Sequence, residues 1–309
     1  MTLEQLRIFV AVAERQHVTR AAAELNLTQS AVSAAIASLE TRHDVRLFDR
    51  VGRNIVLNQA GEMFLQEARG VLARAAAAEA ALADLGGLKR GRLSVHASQT
   101  ISNYWLPERL VAFQAAYPGV EVEVAIGNTA EVARAVHEGS AELGLVEGEV
   151  DDPALSREPV GVDRMVVVVG RRHPWAERRP TRAEELLQSP WVLRELGSGT
   201  RSVFEATLAQ SGVDPAALDV VLTLPANEAV LSAVEAGAGA TAISASVAAA
   251  GLRAGTLHQI AFDLPARSFY LLRHEQRYRS KVGDAFVTLA RSMAGVVAGD
   301  WATGDGALI

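Results

Sequence analysis

Cysteine is absent from this 309-residue sequence, which excludes disulfides, thiolate zinc sites and cysteine nucleophiles. Lysine is nearly absent. The two that occur, Lys89 and Lys281, lie in no glycine-rich phosphate loop, which argues against an NTPase. The seven histidines (His17, His43, His96, His137, His173, His258 and His274) show no metal-ligand spacing, and no Gly-x-Ser-x-Gly elbow occurs. Gly197-Ser198-Gly199 offers a loop serine without an evident base. No catalytic residue, metal or cofactor is therefore expected. Long apolar runs are missing too: the longest uncharged stretch, 236–252, is mostly Ala, Gly and Ser, a poor membrane span but a reasonable buried strand and helix. The opening Met1-Thr2-Leu3-Glu4-Gln5 shows no basic segment followed by an apolar one, so neither a signal peptide nor a membrane partner is expected, and the location is expected to be cytoplasmic.

A strong charge bias is lacking as well. The net charge is −6, and residues 1–60 hold seven arginines against six acids, so the mild asymmetry supports nucleic-acid binding only weakly. The length exceeds one average domain, and 49% hydrophobic with 21% charged residues is ordinary globular composition.

What is present is a dense pattern at the amino end. Leu3, Leu6, Phe9, Val10 and Ala13 recur at helical spacing. Val18 to Leu25 reads as a short second helix with His17 or Thr19 at its start, and Asn26 suits a left-handed turn. Thr28 then caps a third helix, Gln29 to about Glu40, with Val32, Ile36 and Leu39 on one face. Two short helices, a tight turn and the small Ala22 at their crossing are the elements of a helix-turn-helix. Val45, Leu47 and Phe48, then Asn54-Ile55-Val56-Leu57, flank Asp49-Arg50-Val51-Gly52-Arg53, a hairpin with a glycine turn and two exposed arginines: a wing. A three-helix packing unit without a DNA role is the plainer reading of the same helices.

Thr28-Gln29-Ser30-Ala31-Val32-Ser33, Ile36, Leu39-Glu40, Leu47-Phe48-Asp49-Arg50, Leu57-Asn58 and Ala60-Gly61 resemble, in order and spacing, the signature of LysR-type transcriptional regulators. The resemblance implies double-stranded DNA as a partner, at a promoter site of approximate two-fold symmetry. Thr28, Gln29, Ser30 and Ser33 would face base edges, with Arg20, Arg50 and Arg53 as further DNA-binding residues. Ser30 stands where the family often has proline, and Ala34 and Ala35 where it often has polar or basic residues. Direct readout then rests on few side chains and DNA shape supplies the rest.

From Glu62 to Leu85, Phe64, Ala68, Val71, Ala75, Ala78, Leu82 and Leu85 alternate spacings of four and three, a heptad-like seam, ended by Gly86-Gly87 before a polar Lys89-Arg90-Gly91-Arg92 connector. Such a stripe packs on its own chain or on a second copy; the family favours a homodimer, or a homotetramer built from two.

Beyond Gly91 strands and helices alternate, which implies parallel sheets covered by helices. Strands are expected at 93–97, 120–126, 141–146, 165–169, 191–193, 220–222 and 269–272, with one helix running through Trp105, Leu106, Leu110 and Phe113 and a closing helix at 282–293. The fold class expected is α/β with an all-α-type amino-terminal part: a winged helix-turn-helix (1–60), a linker helix (61–87), a two-lobed effector domain resembling periplasmic binding proteins (lobe I, 91–163 plus 267–296; lobe II, 164–266) and a tail (297–309). Ligands of such sheets sit beyond strand carboxyl ends at helix starts. Candidates are Ser98, Gln99 and Thr100; Asn128 and Thr129; Ser198, Gly199, Thr200 and Arg201; Asn227; and Glu147 at a strand end. Helix starts with small hydroxyl residues favour an anion, although capping is the commoner use of such residues and Arg201 is also compatible with an outward direction. Gly197 to Arg201, with Ile126 to Thr129 and Gly144 to Gly148, resembles the branches that regulate sulfur assimilation and carbon fixation. That implies a small anionic effector, such as a sulfur oxyanion or a phosphorylated metabolite, with RNA polymerase as a further partner. A cytoplasmic solute-binding-fold protein, or an enzyme acting on a small anionic metabolite, is the alternative.

Overall fold

The computed structural model describes residues 1–51, 54–85, 91–177 and 182–293. The chain divides into two compact units, one of Met1–Leu85 with Glu138–Ser140, the other of Gly86–His137 with Ala141–Ile309.

In the first unit α1 (Leu3–Arg15) opens on a capping box: Thr2 Oγ1 accepts from Gln5 N at 3.2 Å and Gln5 Oε1 accepts from Thr2 N at 3.1 Å. Leu6, Phe9 and Val12 form its buried stripe. His17, rather than Thr19, caps α2 (Val18–Glu24). Asn26 adopts the expected left-handed conformation (φ 55°), and Leu27 N donates to Ala22 O at 2.9 Å to close the turn. Thr28 caps α3 (Gln29–His43), which runs one turn past Glu40 until Asp44 ends it at φ 51°. Val32 and Leu39 anchor α3 from below, and Ala21 and Ala22 are buried in the same core.

The expected wing is the hairpin β1 (Phe48–Val51) and β2 (Asn54–Leu57), with Phe48 opposite Leu57. Gly52 and Arg53, at its tip, lie outside the described residues, as do Gly86, Gly87, Lys89 and Arg90. The hairpin is tied to its neighbours by polar anchors. Glu40 Oε1 accepts from Leu47 N at 2.7 Å. Asn58 donates to Arg46 O at 3.0 Å while its Oδ1 accepts from Gly61 N at 2.9 Å, capping α4 (Gln59–Leu85). Phe9 stacks between Phe48 and Phe64, ring centroids 5.5 and 4.8 Å away. Phe64 and Ala68, read as the start of an open seam, thus belong to this unit's own core. Further along, Val71 (42%), Leu82 (69%) and Leu85 (85%) stay exposed.

The second unit holds two five-stranded sheets. In the first, β4 (Val120–Gly127), β3 (Gly91–Ser98), β5 (Leu143–Glu147), β12 (Arg267–His274) and β6 (Leu155–Asp163) lie in that order, with α5 (Gln99–Tyr104), α6 (Leu106–Ala116), α7 (Thr129–Glu138) and α11 (Lys281–Ser292) attached. In the second the order is β11 (Leu257–Ile260), β7 (Met165–Gly170), β10 (Ala240–Ser244), β8 (Pro190–Arg194) and β9 (Asp219–Leu224), with α8 (Gly199–Gln210), α9 (Asn227–Glu235) and α10 (Ala245–Ala254). The chain passes between sheets at Arg164 and returns between Ile260 and Arg267.

Three expectations need correction. The sheets are mixed, not parallel: β7 and β12 run antiparallel to their neighbours, because the chain enters both directly from the other sheet with no crossover helix to reverse it. The helix expected through Trp105 to Phe113 is part of a broken pair, α5 and α6, with Pro107 in the first turn of α6, where its missing N–H costs nothing. Strand β6 escaped notice because Pro159 and Gly161 interrupt it, which an edge strand tolerates. Among the described residues no helix is long and apolar enough to cross a membrane.

A Cβ on Gly61 would collide with the Leu47 carbonyl oxygen and with Leu57. Gly61→Ala should therefore cost about 1–3 kcal/mol in urea unfolding followed by circular dichroism. Gly70→Ala, in the same helix with nothing within 4 Å of its Cβ position, should instead stabilise by about 0.4–1 kcal/mol.

Candidate functional site

The first unit presents an exposed face of small and polar residues on α3. Val32 and Leu39 face the core, which leaves the opposite side of α3 in solvent. Thr28, Gln29, Ser30 and Ser33 are all exposed there, as are Ala34 and Ala37. Gln29 and Ser33, four apart, share one face. Thr28 is partly occupied: its Oγ1 accepts from Ala31 N at 3.2 Å and lies 3.1 Å from Ser30 Oγ. The small side chains around Gln29 let another surface approach the helix closely. Arg20 on α2 and Arg50 on β1 are exposed; Arg53 lies outside the described residues.

The second unit holds a buried polar cluster between its sheets. Strands β3, β4 and β5 are parallel, so their carboxyl ends share one rim, and Ser98, Gly127 and Glu147 end them. There Ser98 Oγ donates to Glu147 Oε2, and Thr129 Oγ1 donates to the Glu147 main-chain oxygen at 2.7 Å. From the second sheet, α8 arrives with Gly199 against the Glu147 backbone, so close that a Cβ would overlap its carbonyl oxygen and crowd Thr129 Oγ1. A glycine is required there by the approach itself.

Asn227, fully buried at the start of α9, ties the sheets together. Its main-chain N–H donates to Gln99 Oε1 at 2.6 Å, its Nδ2 donates to Thr100 Oγ1 at 3.2 Å, and its Oδ1 accepts from Arg194 Nη1 at 2.5 Å. Arg194 makes a two-pronged contact with Glu195, at 2.8 and 2.9 Å, and Asn128 Nδ2 donates to the same carboxylate at 3.3 Å. Burial pushes the Glu195 carboxyl up, but the Arg194 hydrogen bonds and charge, with Asn128, outweigh it and hold the group below its ordinary value.

These contacts separate capping from other uses. The Ser98 and Ser198 side chains cap nothing, although each precedes a helix. The hydroxyls of Ser98, Thr100, Thr129 and Thr200 all bond within the cluster, and Ser98, Thr100, Ser198 and Thr200 are almost completely buried. Asn128 does act as a cap: its Oδ1 accepts from Glu131 N at 3.0 Å while Glu131 accepts from Asn128 N at 2.8 Å. Arg201 is not brought into the cluster. It lies along α8, paired with Glu205 at 2.7 Å and donating to Arg194 O at 3.2 Å. This (i, i+4) pairing holds it on the helix surface.

Sequence reasoning missed Arg267, Asp163, Arg194 and Ser244. Asp163, Arg194 and Ser244 end strands β6, β8 and β10, whereas Arg267 opens β12, which runs antiparallel to β5, so that its amino end reaches the same rim. Arg267 is therefore delivered beside Glu147, and its backbone pairs with Asp163 at the end of β6. Its Nε donates to Asp163 Oδ2 at 2.8 Å and its Nη1 to Thr200 Oγ1 at 3.1 Å, while Ser244 Oγ donates to Asp163 Oδ1 at 2.7 Å. A signal existed: Arg267 alternates with Phe269 and Leu271, which puts a cation on the buried face of an apolar strand.

Asn227→Ala should cost about 1–3 kcal/mol, since the truncation leaves Arg194 Nη1 and Thr100 Oγ1 short of buried partners while the main-chain bond to Gln99 survives. Arg201→Ala, outside the cluster, should stay within about 1 kcal/mol of the parent. Thermal unfolding of the two variants side by side checks both.

Two family profiles match the chain: "Bacterial regulatory helix-turn-helix protein, lysR family" over residues 3–62, and "LysR substrate binding domain" over residues 86–295. The HTH-type transcriptional regulator YeiE of Escherichia coli strain K12 is 34% identical over 91% of this chain and 94% of its own length. A "Probable RuBisCO transcriptional regulator" of Trichormus variabilis is 33% identical over 92% and 86%. The HTH-type transcriptional regulator CysL of Bacillus subtilis is 31% identical over 94% and 97%. Full-length CbnR complexed with its target DNA superposes with a TM-score of 0.67 at 23% identity, over 94% of this chain and 99% of that one, a likeness of fold.

Proposed function

The chain belongs to the LysR family of bacterial helix-turn-helix transcriptional regulators, and from that premise we propose that α3 reads a promoter while the cleft between the two sheets of the second unit binds a small anion that controls it. The observation that carries the second half is the convergence of Ser98, Thr100, Thr129, Thr200 and Asn227, from four separate helix starts, on one buried cluster that also holds Arg267. Helix starts favour negative charge, and an arginine among hydroxyls is suited to an oxyanion. A sulfur oxyanion fits that description, in keeping with the resemblance of the cleft segments to the sulfur-assimilation and carbon-fixation branches. An effector shifts regulation only as far as it binds one arrangement of the cleft better than another.

On DNA, Gln29, Ser30 and Ser33, with Thr28, meet base edges, while Arg20, Arg50 and Arg53 meet phosphates. The protein acts as a homodimer or a dimer of dimers, because the exposed Val71, Leu82 and Leu85 of α4 gain burial only against a second copy. Contact with RNA polymerase in the cytoplasm belongs to the same reading. The alternatives, a solute-binding protein or an enzyme on an anionic metabolite, leave the exposed face of α3 without a use.

Fluorescence anisotropy on operator and random duplexes tests the DNA assignment. Arg50→Ala should weaken both alike and lower the salt slope by about 1, whereas Gln29→Ala or Ser33→Ala should cost about 1–3 kcal/mol on the operator alone. Equal losses on both duplexes for all three variants would refute the division. For the dimer, Leu82→Glu should shift sedimentation toward monomer; a parent chain that stays monomeric at micromolar concentration defeats that part.

A further inference from the structure

Arg267, Glu147 and Asp163 are each at least nine-tenths buried. One cation therefore stands against two carboxylates, and the nearby Arg194 is already matched by Glu195. The Asp163 Oδ2 atom sits between Nε and Nη2 of Arg267 and takes the N–H of Nε at 2.8 Å. Arg267 Nη2 lies 2.7 Å from the same oxygen, an ion pair that engages at most one of its two N–H groups. It lies 3.7 Å from Glu147 Oε1, too far for a hydrogen bond. Among the described residues the second N–H of Nη2 is buried with no acceptor, a costly state that a ligand oxygen would relieve.

The charge balance limits which ligand can do so. A fully ionised dianion would satisfy Nη2 but would bring two negative charges to a cluster already holding one in excess, in a site where charges interact strongly. A singly charged oxyacid that keeps a proton meets both neighbours: its unprotonated oxygen accepts from Arg267 Nη2, and its hydroxyl donates to Glu147. Resting on the proposed anion-binding role of the cleft, we infer that Arg267 and Glu147 together select a compact monoanionic oxyacid carrying its own hydrogen-bond donor, and that Glu147 rejects fully ionised dianions. Glu147 then sets specificity as an acceptor, while Arg267 supplies the attraction. Ser98, by donating to Glu147 Oε2, orients the carboxylate for this task.

Isothermal titration of the full-length chain with methyl phosphate, methyl sulfate and sulfate tests the inference. Methyl phosphate, a monoester whose second ionisation falls near about pH 6, is mostly the proton-bearing monoanion at about pH 5.5 and mostly dianion at about pH 7.5. Methyl sulfate is a monoanion without a donor, and sulfate a dianion at both. Methyl phosphate should bind at least about tenfold more tightly at the lower pH than at the higher, and more tightly than methyl sulfate there, with sulfate weak throughout. Glu147→Gln, which can donate where the carboxylate cannot, should raise sulfate affinity at least about tenfold and flatten the methyl phosphate pH dependence. Should that variant fail to fold, the order of the three anions on the parent chain decides alone. Sulfate equal to or tighter than methyl phosphate overturns the selection while leaving the anion reading standing. So does a sulfate affinity that rises in parallel at low pH, which would place the proton on the protein. No binding by any of the three overturns both.

Discussion

A guanidinium withdrawn from water has to be compensated, and the cleft of the second unit is arranged around that demand for Arg267. Asp163 meets it from the strand alongside, Thr200 from the opposite sheet, and Glu147 stands at the limit of reach. Replacing one member of such a buried set would leave the others uncompensated, which is why these groups depend on each other more than on any single contact. Ser244 and Ser98 complete the set by donating to the carboxylate oxygens that Arg267 does not take. Because Thr200 and Ser244 come from one sheet and Arg267, Glu147 and Ser98 from the other, the ionic cluster also holds the sheets in register.

Asn227 and Gly199 show the same coupling by other physics. Asn227 uses every hydrogen-bonding group of its side chain, with partners on both sheets, so its position follows the cleft. Gly199 lets a helix start press on a strand end without any side chain between them. A helix start in contact with a main-chain oxygen has little room to move independently, and a ligand placed there acts on both sheets at once.

In the first unit the signature residues carry structural duties that leave the reading face free. Glu40 anchors the hairpin, Asn58 caps α4 and Gly61 allows α4 to pass the Leu47 carbonyl. None of these three meets DNA in the proposed reading. They hold α3, the hairpin and α4 against one another, while Gln29, Ser30 and Ser33 are left exposed. Small residues at Ala34 and Ala37 leave that face open to close approach by another surface.

Local chemistry was enough to read the amino-terminal elements. The helical spacing of Leu6, Phe9 and Ala13, the left-handed Asn26 and the cap at Thr28 each follow from short-range sterics and hydrogen bonding, so the sequence by itself determined them. It also determined much of the alternation of strands and helices beyond Gly91, though not β6 or β11, and which helix starts carried hydroxyls. Strand direction was beyond it, because direction is set by where a distant segment pairs: β12 lies more than a hundred residues from β5 in the chain, yet beside it in the sheet. Only the tertiary structure therefore decided that Arg267 joins Glu147 and Asp163, that Arg201 turns away along its helix, and that Ser98 bonds to a neighbouring strand end and Thr200 to the opposite sheet rather than capping. Caps are settled by neighbours a few residues away, whereas a buried ionic cluster is settled by which strand ends meet, and that is a property of the whole fold.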